Sequence, residues 1–189
     1  LPIQLTLLNW VLKVSVSAVR STCSLMLTES LSQASNLLQG GMYYASAMIL
    51  ALARQDPEKM RGLFRLLYNE DLPLVERLRP FRVGCDELME AFRHNAAEPE
   101  KAKNHYQDLR ALCVYLSFRY PDKYFLFKHR MYTSFRKLIN WQETSQEKDS
   151  EVRKYDNYAR LCQAVIEEIQ ADAQMQQMQR ERVENEADC

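Results

Sequence analysis

Apolar positions recur at intervals of three and four along most of the chain, the spacing that lines one face of an α-helix. Met60, Leu63, Phe64 and Leu67 form one such stripe, introduced by Asp56 as N-cap and Pro57 at the first helical position. Leu74, Leu78, Phe81, Cys85, Leu88 and Phe92 form a second, the kind of seam along which one helix packs on another; Pro80 inside it removes a backbone donor and predicts a kink. Tyr106, Leu109, Cys113, Leu116 and Tyr120 mark a third helix that must stop before Pro121, because a residue preceding proline is pushed out of the α region. Asp122 then stands as the cap of a helix over 123–139. A long C-terminal helix, 148–182, places Val152, Tyr155, Ala159, Cys162, Ile166, Ile169 and Ala173 on one seam, and beyond it only Gln, Glu and Arg continue.

The first 38 residues are less regular. Leu5, Leu8, Leu12, Val16, Val19 and Cys23 fit a helical stripe, while "VSVSAV" alternates like a strand; helix is the reading adopted, ended by Gly40 and Gly41, with a short helix over 43–53 after them. Four Gly and six Pro in 189 residues are too few for a turn-rich β-protein. The predicted fold is therefore all-α: an irregular bundle of six to seven helices, with a segment 1–38, a helical bundle 39–170 and a charged helical extension 171–189.

Residues 115–138, "YLSFRYPDKYFLFKHRMYTSFRKL", change the picture from packing towards binding. Wound as a helix from 123 to 139, Tyr124, Phe125, Phe127, Met131, Tyr132, Phe135, Leu138 and Ile139 share one arc, which reads as core. Lys123, His129, Arg130, Arg136 and Lys137 fall opposite, and Lys128 can reach outward from within the arc on its long stem. Lys123, Lys128, Arg130, Arg136 and Lys137 are the candidate nucleic-acid contacts, since Lys and Arg neutralise backbone phosphates. A solvated face, or one paired with the acidic helix after Glu143, would look the same in sequence.

Net charge is zero but unevenly spread: residues 119–140 hold six Lys or Arg against Asp122 alone, and the acids dominate after Glu143. The five cysteines form no C-x-x-C pair, and His94, His105 and His129 lie at no metal-ligand spacing, so the cysteines read as reduced and no metal, cofactor or catalytic residue is assigned. Gly40, Gly41, Gly62 and Gly84 are not followed by Lys, which removes a phosphate-binding P-loop. "PD" at Pro121 and Asp122 lacks the acid-x-Lys continuation of a nuclease site, and "SFRK" at Ser134 to Lys137 lacks the companion motifs of penicillin-recognising serine enzymes. The expectation is a chain that is no enzyme itself, has no membrane segment and resides in the cytoplasm.

"LFRLLYNEDLPLVERLRPFRVGCDELM", "DLRALCVYLSFRYPDKYFLFKHRMYTSF" and "YDNYARLCQAVIEEI" resemble, in that order, the helical region preceding the motor in McrB-type restriction proteins, the AAA+ GTPases of modified-cytosine-dependent restriction. The resemblance spans about Asn36 to Gln170, and its most specific piece is "LSFRYPDKYFLFKH", a run of aromatics around Tyr-Pro and Lys-Tyr. It implies a parent protein that uses GTP or ATP to drive a partner nuclease along DNA. This region would then recognise or position DNA or, as the alternative, contact the nuclease or a neighbouring motor subunit. The motor's nucleotide-binding motifs are not in this sequence, the first 35 residues do not share the resemblance, and the start at Leu1 reads as that of a fragment.

Overall fold

The computed structural model describes residues 27–32, 34–95 and 103–187; the predicted N-terminal stripe from Leu5 to Cys23 lies outside them. Helix dominates. After a helical stretch at 27–32 come α1 (Ser35–Leu38), the two-residue strands β1 (Gln39–Gly40) and β2 (Tyr43–Tyr44), α2 (Ala45–Gln55), α3 (Pro57–Leu67), α4 (Leu74–Asn95), α5 (Leu109–Arg119), α6 (His129–Leu138), α7 (Ser150–Ala171) and α8 (Ala173–Ala187). The fold is predominantly all-α, as the periodicity predicts. Gly40 and Gly41 serve a hairpin rather than a simple helix cap: β1 and β2 pair antiparallel with Gln39 opposite Tyr44 and Gly40 opposite Tyr43, and Gly41, which opens the two-residue turn with Met42, takes φ +56° where the tight hairpin needs a positive φ.

Contacts divide the chain into two compact units, one ending at Lys128 and the other beginning at His129. In the first, the helix signals act as read. Asp56 accepts from the Lys59 amide at 2.9 Å with Pro57 behind it, and α5 stops at Arg119 ahead of Pro121. α4 runs through Pro80, which is exposed and leaves the Glu76 carbonyl without its helical amide. Gly84 lets α3 approach closely, since a Cβ there would meet Leu63 Cδ2 at 2.3 Å.

α5 departs from the single seam predicted for it. Ala111 to Ser117 are buried without interruption, so this helix is enclosed all round. Its Tyr115 ring packs edge-on to Phe64 of α3 at 5.2 Å between centroids; Phe64 in turn meets Phe81 of α4 at 5.2 Å and Tyr68 at 5.7 Å. Gln107, fully buried just before α5, satisfies every polar atom of its side chain: Nε2 donates to the Ala45 and His105 carbonyls (2.9 and 2.8 Å), and Oε1 accepts from the Tyr115 hydroxyl at 2.7 Å. The His105 ring beside it accepts the Gln107 amide on Nδ1 (2.8 Å), which puts its proton on Nε2, facing Asp86 at 3.0 Å.

The second unit is sparsely buried. Of its described apolar side chains only Tyr132, Val152, Tyr155 and Leu161 are fully enclosed. Asn157 is buried among them, its Oδ1 accepting the Thr144 and Ser145 amides at 3.0 and 2.9 Å and so fixing the loop before α7. The predicted continuous C-terminal helix is two helices. Asp172 leaves the α region (φ −88°, ψ 107°) and caps α8 through its carboxylate, which takes the Gln174 and Met175 amides at 2.9 and 3.0 Å. An aspartate competes with the helix in this way wherever the next turn has little to bury.

Candidate nucleic-acid and partner interface

The basic, aromatic stretch does not form one helix from 123 to 139. Pro121 to Lys123 make a turn, closed by the Lys123 and Tyr124 amides on the Tyr120 carbonyl (3.1 and 3.0 Å); 124–128 is irregular, and α6 begins only at His129. The turn is held by a buried polar knot. Arg77 of α4, only 3% exposed, donates to the Leu67 carbonyl (3.3 Å), pairs with Glu70 and donates to the Tyr124 hydroxyl (2.7 Å). That hydroxyl donates to Glu70 at 2.7 Å, Lys123 pairs with the same carboxylate, and the Tyr120 hydroxyl donates to the Tyr68 carbonyl at 2.7 Å. Much of the segment most specific to the family resemblance is thus engaged inside the fold.

α6 is short because Asn140 stops it. Asn140 sits at φ +52°, its amide bonds the Lys137 carbonyl, and the Trp141 amide reaches back to the Arg136 carbonyl at 2.8 Å, the paired closure of a Schellman motif. Tyr132 is the one residue α6 buries fully; its ring meets Tyr158 of α7 edge-on at 5.6 Å and its hydroxyl donates to Glu143 at 2.6 Å. Burial, then the neighbouring Glu143, push the Tyr132 hydroxyl up to about 12. Arg136 pairs with Glu143 and lies over the Tyr132 ring at 5.7 Å.

The five candidate cations therefore separate. Lys123 is tied to Glu70 in the first unit and Arg136 to Glu143 in the second. Lys128, Arg130 and Lys137 are exposed and form no ion pair among the described residues; Arg130, Ser134 and Lys137 follow one another at four and three residues, on a single face of α6.

The aromatic arc is corrected too. Tyr124, Phe127 and Tyr132 are buried, but Met131, Phe135 and Leu138 are 65%, 41% and 78% exposed. They sit at i, i+4 and i+7, an apolar stripe beside the basic one, and sequence alone assigned them to a core because burying such a stripe in the chain's own interior and presenting it to a partner require the same spacing. Beside the stripe is a groove of about 580 Å³ lined by Phe135, Ile139, Trp141, Leu161, Val165 and Ile169, with the exposed carboxylates of Glu168 and Asp172 along it.

Other chemistry is sparse among the described residues. Cys85 and Cys113 are buried; burial, then Asp86, drive the Cys85 thiol up to about 12, and burial raises that of Cys162 as well, so neither offers a thiolate near neutrality. No group of three or more His, Cys, Asp and Glu side chains converges there, and no described helix is long and apolar enough to cross a membrane. Neither a protein-family model, a curated protein nor a solved structure matches the chain.

Two carboxylates carry a pH signature. Desolvation alone would raise Glu70, but the hydrogen bonds from Lys123 and Tyr124 and the charge of Arg77 outweigh it and hold it below its ordinary value of 4.5; for Glu143 the Tyr132 hydrogen bond leads, desolvation opposes it, and Arg136 reinforces it. Both contributions to stability are complete above the unfolded value and are lost as pH falls through the lower folded values. The thermal midpoint should accordingly drop on acidification below about pH 4.5, and Glu70→Gln should flatten that acid limb. An unchanged acid limb in Glu70→Gln would mean that the knot leaves Glu70 unperturbed.

Proposed function

We propose that the chain is a helical module, without chemistry of its own, of a restriction-type AAA+ system, and that it works by holding a protein partner, the nuclease or a neighbouring motor subunit. The restriction parentage rests on the sequence resemblance across Asn36 to Gln170. The mode of action rests on one observation, the exposed stripe Met131, Phe135 and Leu138 on α6. A soluble surface tolerates single apolar side chains, but a helical seam of them beside an apolar groove marks a docking face. Burying a fully exposed side chain of this size contributes up to about 1.5–3 kcal/mol towards the cost of association.

DNA positioning is the second reading, favoured by the exposed Lys128, Arg130 and Lys137. Titration of a duplex against the protein at several salt concentrations separates the two. For a protein-docking face, affinity is weak and Arg130→Ala with Lys137→Ala leaves it unchanged. A steep salt dependence that this pair of substitutions flattens by about two in the log–log slope would transfer the assignment to DNA.

A further inference from the structure

The second unit carries seven of the eleven exposed large apolar side chains among the described residues, yet encloses few of its own. A body with so small an interior gains most by burying that surface against something else. The two sides of its groove differ in charge. α6 forms one wall and carries Arg130 and Lys137 on its face turned away from the groove-lining Phe135 and Ile139; α7 and the α7–α8 joint form the other and line the groove with Glu168 and Asp172, and neither Arg130, Lys137 nor Glu168 has an ion-pair partner among the described residues. One surface thus holds an apolar stripe, an apolar groove, a basic edge and an acidic edge.

Such a surface is complementary to itself. Two copies related by a two-fold axis bring the stripe of each to the groove of the other and the basic edge of each to the acidic edge of the other, so that every contact occurs twice. We infer that the groove of the second unit is filled by α6 of a second copy of this chain, with Lys137 of each copy facing Glu168 of the other. This rests on the protein-docking reading above and gives it an occupant, the neighbouring subunit.

Sedimentation of the whole chain over a range of concentrations is the test. A reversible dimer is expected. Leu138→Asp should weaken it about a hundredfold or more, since it places a charge at the centre of the contact, and far-UV circular dichroism should stay unchanged because the residue is exposed in the single chain. Lys137→Glu and Glu168→Lys should each weaken the dimer about tenfold. Mixing those two variants should restore it, because in a two-fold contact each mixed pair regains both opposite-charge meetings. A chain that stays monomeric, a dimer indifferent to Leu138→Asp, or a mixture no tighter than either variant overturns the second-copy assignment.

Maleimide labelling of Leu138→Cys, located by peptide mapping, tells that failure from failure of the docking reading. A monomer that labels rapidly at position 138 has a free docking face awaiting a different protein. A monomer protected at 138 covers the stripe with its own chain, and both inferences fall.

Discussion

Phe64→Ala is expected to cost the first unit about 3–5 kcal/mol, the usual range for emptying an aromatic site that cannot collapse. Phe64 is fully buried and touches Phe81 and Tyr115 on neighbouring helices and Tyr68 just past the end of its own, so no single side chain can move into the space without giving up another contact. Urea unfolding should show the midpoint falling with little change in slope, the mark of lost stability rather than a changed unfolded chain. Phe135→Ala belongs beside it as a contrast. That ring is 41% exposed, and its removal should cost under about 1 kcal/mol. Equal losses from the two substitutions would contradict the burial of one ring and the exposure of the other.

Arg77→Ala is the second large effect, about 3–5 kcal/mol, in the range for removing one member of a buried charged network. The guanidinium holds three acceptors, the Leu67 carbonyl, Glu70 and the Tyr124 hydroxyl, and its loss leaves a void as well as unmet acceptors. Arg77→Met should fare better, within about 1–2 kcal/mol of the parent, because methionine refills much of the volume and removes a buried Nε that has no partner, while Glu70 keeps Lys123 and the Tyr124 hydroxyl. Calorimetric midpoints for the three proteins decide the matter. Identical losses in the alanine and methionine variants would mean that charge alone, and not volume, holds the turn at Pro121.

These two sites show what a sequence exposes and what it hides. Asp56 with Pro57, and Pro121 after Tyr120, are local signals, since each acts on backbone within a few residues, and the helix boundaries follow them. The Arg77 knot joins residues about 50 positions apart, and nothing in the spacing of Glu70, Arg77, Lys123 and Tyr124 announces it. That unseen knot is why Tyr124 leaves the helix in which periodicity placed it and why Lys123 is not a free cation. The Asn140 stop was visible in principle, since Asn is among the residues that accept positive φ after a helix. The break at Asp172 is equally local but competes with a long apolar seam whose spacing continues through Ala173. The exposed stripe could not have been told from core by pattern, because Met131, Phe135 and Leu138 satisfy the helical period either way. Of the candidate cations, Lys128, Arg130 and Lys137 are presented to solvent and Lys123 and Arg136 are occupied, a distinction set by acids distant in sequence or beyond the helix end.

The Asp172 joint has a mechanical consequence. α8 has no buried side chain as far as Val183 and is held at its start by the Asp172 carboxylate and by Gln176, whose Nε2 donates to the Ile169 carbonyl at 3.1 Å. A helix of 15 residues with no side chain buried as far as Val183 is at the margin of persistence in water, so it winds and unwinds at little cost. Wound, it spans about 22 Å at 1.5 Å per residue; drawn out, the same residues reach about 50 Å. Winding and unwinding of α8 therefore changes the reach of 173–187 by more than about twenty ångströms while α7 stays folded.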